Sequence, residues 1–361
     1  MSEERRPALD PLVIESQAAL LAAAARGDLL GAEIRGVSAN GIDLAGQDLR
    51  RAHFSACELS AAVFEGARLS GARFSSCNLR DARFKAADLA DADLSGHGFA
   101  RADFSEAILT QTKLASSDLT QTRLSDAQLI GVDLTAAWLG GLDLSDVLLV
   151  SEHLAGADLR GTRFRLADFS GANLQTVKLD ATTSFEQCRF EEADLSYLDL
   201  RKLNLQNSNL SRATLVGCDL SGAHGTQVGF CEANLSSARL VGFKGLRADF
   251  SGATLNGADF AQSECVDAEF AGCVARRASF KSAKLDHARF GEADLSESSF
   301  RSASLVWAVF DHAKLDRSVF LEADLSHASL HRASVGGCHM SRAKLDDIRY
   351  TDPERERAED F

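Results

Sequence analysis

The residues best equipped for chemistry stand at even intervals of twenty: Asp267, His287, Trp307, His327 and Asp347. Imidazoles flanked by carboxylates can hold a metal ion or move protons, and an exposed indole anchors protein partners. More carboxylates recur along the chain, among them Asp43, Asp88, Asp103, Asp158, Asp168 and Asp194. None of them belongs to a motif with a known mechanism. The sequence has no phosphate-binding glycine loop, dinucleotide fingerprint, HExxH, GxSxG or paired Cys/His nucleophile. Its eight cysteines form no CxxC pair and no metal-ligand spacing, so they read as small apolar side chains suited to a reducing compartment. No catalytic, cofactor-binding or metal-binding residue is expected.

What must position these residues is a period of five. In KLDHARFGEADLSESSFRSASLVWAVF, residues 284–310, a large apolar residue returns at Leu285, Phe290, Leu295, Phe300, Leu305 and Phe310. Two places before each sits a small one: Ala283, Ala288, Ala293, Ser298, Ala303 and Ala308. A strand repeats every two residues and a helix near 3.6, so neither explains the pattern. The rule runs from Ile34 to Tyr350, with one extra residue in DATTS, residues 180–184. It describes a repeat domain without linkers; the only prolines are Pro7, Pro11 and Pro353.

Units such as Ala172-Asn173-Leu174, Ala193-Asp194-Leu195 and Ala248-Asp249-Phe250 resemble those of the pentapeptide-repeat family. The resemblance implies an all-β solenoid, a right-handed quadrilateral β-helix of about fifteen coils, with four pentapeptides to a coil. The central residue and the small one two before it would point inward, and the other three outward or into corners. Alternating large and small inward residues fill such a narrow interior without voids. The expected organisation is a tail and capping helix over residues 1–33, the β-helix over 34–350 and a charged, frayed tail over 351–361. Asp10 is read as the N-cap of the capping helix, Pro11 as its first position and Gly27 as its stop. Its apolar stripe would be Ile14, Ala18, Leu21 and Ala25. The extra residue at 180–184 implies a bulge, a small loop or a corner slip.

In this geometry residues twenty apart stack on successive coils, and function is sought where outer faces depart from the repeat. Asp267, His287, Trp307, His327 and Asp347 then form one ridge, widened by Val306 and Val309, which reads as a partner-binding surface anchored on Trp307. His287 and His327 lie two coils, or roughly 10 Å, apart, too far to share an ion. Ile108, Ile130, Leu148 and Val150 make a second, apolar face fit for a partner or for a homodimer; Trp138 projects from the opposite side. Inside, Gly225, Gly245 and Cys265 thin the core, with Phe243 as the expected filler. His97 reads as a core histidine with its hydrogen bonds satisfied.

The net charge of −13 excludes direct nucleic-acid binding, which needs clustered cations, and permits a basic partner. The longest apolar run, Ala18 to Ala25, is too short to insert in a membrane. No Sec signal is read at the N-terminus, so a cytoplasmic protein, or one exported by another route, is expected. One branch of the resembled family protects DNA gyrase and topoisomerase IV from inhibitors or toxins by imitating DNA with an acidic rod. This chain shares the acidity but lacks that branch's C-terminal hydrophobic helix for end-to-end dimers and its long inserted loop. Its acids are also interleaved with Arg68, Arg73, Arg83, Lys85, Lys113 and Arg123, so mimicry would be local. The expectation is a non-catalytic binding protein with a protein partner, gyrase or topoisomerase IV first among candidates. The alternative is a scaffold or a secretion-system or effector-associated protein.

Overall fold

The structure, a computed structural model, describes residues 11–359. Two compact units make up the chain, divided between Asp158 and Leu159. In the first, β1 (Val13–Ile14), β2 (Glu33–Arg35), β3 (His53–Ser55) and β4 (Arg73–Ser75) form one parallel sheet. Ile34 pairs with Phe54 and Phe54 with Phe74, a register of twenty. Strands β5 (Gln128–Ile130), β6 (Asp143–Leu144) and β7 (Leu148–Val150) follow in the same unit. The second unit opens with β8 (Arg163–Arg165) and β9 (Ser184–Glu186). Elsewhere single parallel bridges carry the ladder, such as Arg83 to Asp103 in the first unit and Ser279 to Ser299 in the second. The protein is a β-solenoid in which four pentapeptides return the chain to its starting side.

Each side is too short for a long strand because a turn follows every bridge. The small inward residue donates its N–H to the preceding central carbonyl, as from Ala288 to Leu285 at 3.0 Å. The residue between them, two after the centre, takes a left-handed backbone: φ is 57° at Ser282, 60° at His287 and 63° at Trp307. That conformation crowds a Cβ and is worst for branched ones. Accordingly no Val, Ile or Thr occurs among the described residues with positive φ.

Inside, the coil spacing brings identical side chains into contact. In the second unit Phe250, Phe270, Phe290 and Phe310 stack at centroid separations of 4.8, 4.7 and 4.9 Å. Phe260, Phe280, Phe300 and Phe320 do the same at 4.9, 4.8 and 4.9 Å. The two piles meet edge to face, as Phe280 does Phe290 at 6.0 Å, the other arrangement that aromatic quadrupoles favour. Where the core thins, Phe243 fills it. A Cβ on Gly225 would come within 2.3 Å of its ring, and one on Gly245 within 2.5 Å.

The extra residue sits in a corner. Arg163 pairs with Ser184 and Phe164 with Phe185, a register of twenty-one, and Ser184 pairs with Asn204, a register of twenty again. Asp180 Oδ1 accepts from the N–H and the hydroxyl of Thr182 and from the N–H of Gly161. Thr183 fills the small inward slot and donates its hydroxyl to Leu159 O. The slip is absorbed without a projecting loop.

Both ends depart from expectation. Helix α1 is Gln17–Arg26, capped by Ser16, whose hydroxyl accepts from the N–H of Ala19. Asp10 lies outside the described residues, and Pro11 precedes β1, not a helix. Ile14 is buried by pairing with Ile34. The buried side chains of α1 are Leu20 and Ala23, so the predicted stripe of Ala18, Leu21 and Ala25 faces outward. Gly27 does stop the helix, at φ 74°. The tail expected to fray instead forms α2 (Pro353–Glu359). Arg355 of α2 meets Asp311 at 2.7 Å, and Glu359 meets His331 at 3.1 Å. The last turn of the repeat is open: Val335 and Tyr350, at central positions, are exposed.

Candidate binding surface

The ridge belongs to the second unit and is built on its left-handed corners. Asp267, His287, Trp307, His327 and Asp347 all have positive φ, a backbone that turns their side chains out of the coil. Trp307 is 45% exposed. Its indole stacks on the His327 ring at 4.3 Å and 12°, and Arg349 Cζ lies 6.0 Å from the indole centroid. His327 Nδ1 is 3.5 Å from Asp347 Oδ2. This chain of contacts fixes the indole's orientation before any partner arrives, which reduces the ordering cost of binding.

Asp267, His287, Trp307 and Val309 line one groove of about 450 Å³ together with Glu269 and Arg289. Val306 stands beside it, its N–H donated to Asp286 Oδ1 at 3.0 Å. Glu269 and Arg289 were not singled out in the sequence. They lie two residues on from Asp267 and His287, and that spacing, from a corner to the next bridging position, is the signal that finds them. Burial pushes the Glu269 carboxyl above its ordinary range, against opposing bonds and the charge of Arg289. Asp267 is 3.7 Å from Arg247. The groove thus offers an aromatic face, a valine and mixed charge, a surface suited to a protein side chain.

The apolar face lies in the first unit. Ile130 pairs with Val150 across β5 and β7. Ile108 bridges to Gln128, which pairs with Leu148, so a glutamine divides the two larger apolar residues. Leu148 is 51% exposed. Trp138 sits in a different column, between Asp118 and Asp158.

Two histidine settings bear on metal binding. Trp307 occupies the column between His287 and His327, so those two do not converge. A separate cluster, His312, His331 and Glu359, has its ligand atoms within 4.8 Å of one another. There the N–H of Asp352 donates to His331 Nδ1 at 3.1 Å. His331 Nε2 therefore carries the ring proton and donates its hydrogen bond to Glu359, at 3.1 Å. Arg355 also binds Glu359, at 2.9 Å. With the His331 lone pair taken, a guanidinium already on the carboxylate and His312 Nε2 also 3.1 Å from Glu359, the cluster serves as a clasp for α2. His97 is likewise satisfied: Nε2 accepts from Cys77 N–H and Nδ1 donates to Leu94 O.

The fold and its outward-facing surfaces define a solenoid that presents side chains on a regular grid. The sequence profile for pentapeptide repeats (8 copies) matches in successive stretches from residue 28 to residue 342. The chain belongs to the pentapeptide-repeat family. Among solved structures, a pentapeptide repeat protein from the Arabidopsis thaliana thylakoid lumen is 30% identical over 28% of this chain and 72% of its own, with a TM-score of 0.27. HetL, a pentapeptide repeat protein involved in heterocyst differentiation regulation in the cyanobacterium Nostoc, is 19% identical over 92% and 96%, with a TM-score of 0.17. QnrB1, a plasmid-mediated fluoroquinolone resistance protein, is 16% identical over 64% and 91%, with a TM-score of 0.24. No curated protein matches the sequence.

Proposed function

We propose that this chain is a non-catalytic binding protein whose protein partner engages the groove at Trp307. The observation that carries this reading is an indole left nearly half exposed, yet held in place by a stack on His327 and lined with both charge signs. Such aromatic anchors supply most of the energy of an interface. The leading specific partner is DNA gyrase or topoisomerase IV, which the protein would shield from an inhibitor or toxin in the cytoplasm. The net charge of −13 supports that choice, since a DNA-binding enzyme presents a basic channel.

The scaffold reading draws support from a different observation. Many acids are matched by cations on neighbouring turns: Arg101 with Asp81 at 2.6 Å, Lys284 with Glu264 at 2.8 Å, and Arg277 and Arg317 both with Glu297. Surface neutralised in this way is a poorer imitation of a phosphate backbone. The two readings separate in one assay, gyrase supercoiling and quinolone-stabilised cleavage titrated with the purified chain. Protection at micromolar concentration, weakened at least tenfold by Trp307→Ala without a change in melting temperature, supports the topoisomerase reading. Absence of any effect removes it. Protection that Trp307→Ala leaves intact places the contact elsewhere.

A further inference from the structure

Among the eight cysteines only Cys57 and Cys77 are separated by one full turn of the solenoid. Their neighbours fix the register: Ser55 pairs with Ser75, and Glu58 with Asn78. Both therefore occupy the same small inward slot on adjacent turns of the first unit. Their sulfurs lie in equivalent settings. Cys57 Sγ is 3.4 Å from Ile34 O and 3.3 Å from Ser55 O. Cys77 Sγ is 3.5 Å from both Phe54 O and Ser75 O. Neighbouring parallel strands run about 4.8 Å apart, inside the ~4.4–6.8 Å window of Cα separations that a disulfide spans. Cys57 is fully buried, whereas Cys77 is half-buried at the margin of the slot.

We propose that Cys57 and Cys77 are a reversible redox modification site, closed to an intramolecular disulfide by a low-molecular-weight disulfide such as oxidised glutathione. The accessible sulfur reacts first. Cys77, as thiolate, attacks one sulfur of the reagent, forms a mixed disulfide and releases one glutathione thiolate. Cys57 then loses its proton and attacks the Cys77 sulfur, expelling the second glutathione thiolate. Two protein thiols are oxidised and one reagent disulfide is reduced to two thiols. The order rests on access, since Cys57 is fully buried and Cys77 only half-buried. Interaction with Cys77 draws the Cys57 thiol down to about 7, and interaction with Cys57 together with burial pushes the Cys77 thiol up, which suits Cys57 to the second, resolving attack. The other groups around the pair are the backbone carbonyls above and the His97 ring, whose Nε2 takes the Cys77 N–H. Glu58 lies beside the column, bonded by Asn78.

The test incubates the native, full chain with graded ratios of oxidised to reduced glutathione, followed by alkylation, tryptic digestion and mass spectrometry. The expected product joins peptide 52–68 to peptide 74–80, lacks two hydrogens, reverts with dithiothreitol and raises the melting temperature by several degrees. Cys57→Ser should leave Cys77 as a stable glutathione adduct, and Cys77→Ser should leave Cys57 unmodified. Both variants are expected to fold, because Ser117 and Ser208 fill the same slot elsewhere, each donating to a carbonyl. Cys231 and Cys338, half-buried with no cysteine one turn away, serve as internal controls that form adducts only. The proposal is overturned if native Cys77 stops at the mixed disulfide in the wild-type chain, or if the link appears only in denaturant.

Discussion

At the scale of single residues, the molecule is governed by slots, and the exceptions show how strict the slots are. Phe243 stands where the repeat wants a small residue, and two glycines make room for its ring. Phe243→Ala should cost about 3–5 kcal/mol by leaving a void, and Gly225→Leu alone should also destabilise through overlap with the ring. Combined, the two changes restore a large centre at 225 and a small residue at 243 while Gly245 stays a glycine, so the double variant should recover part of the loss in denaturant unfolding. Purely additive losses would contradict this account. Asp48 gives a pH-dependent case. The Arg50 guanidinium, at 2.7 and 2.6 Å, holds its carboxyl down from 3.8 to about 2, with Arg68 assisting and desolvation opposing. A carboxyl lowered by folding stabilises the native state above its unfolded value and loses that contribution as pH falls through the folded one. Wild type should therefore lose more stability than Asp48→Asn between pH 3.8 and pH 2, measured by urea unfolding at each pH.

At the scale of elements, legibility follows from how far the determining contacts lie along the chain. The inward columns were readable because every unit repeats the same demand: large at the centre, small two before. The start of α1 was not, because Asp10 and Pro11 suggest a helix there while pairing of Val13–Ile14 with Glu33–Ile34 keeps this stretch extended. Tertiary pairing outweighed a local cap signal. Helix α2 was missed for a related reason, since its seven residues are too few to hold a helix alone. Its partner Asp311 is forty-four positions away from Arg355. Arg355→Ala should free α2, raising hydrogen exchange at residues 354–359 severalfold while exchange in the solenoid core stays unchanged. The ridge was legible as one column, but its groove was not, because Glu269 and Arg289 enter from the bridging column alongside.

At the scale of the whole molecule, the formal charge of −13 hides a surface on which cations and anions alternate between turns. The salt dependence of any partner complex should reflect this. Interactions confined to a groove of mixed sign lose less affinity with added salt than those of a uniformly acidic face. Family membership sets the architecture without choosing the partner, since function lives in the side chains the grid presents.

The register of twenty also means that length comes in quanta. Removing residues 281–300 from the second unit would bring Phe280 beneath Phe320 and Asp267 beneath Trp307, leaving core and columns in phase. Removing 281–290 would still stack phenylalanine on phenylalanine, as Phe270 under Phe300. The outer grid, however, would turn by half a revolution and set Arg277 under Trp307. Removing 281–285 would put Phe270 beneath Leu295 and break both patterns. Melting temperatures should fall least for the first two deletions and most for the third, and only the twenty-residue cut should keep the column that carries the indole. A chain of this kind can gain or lose turns without redesigning its interior, while its recognition surface behaves like the dials of a combination lock.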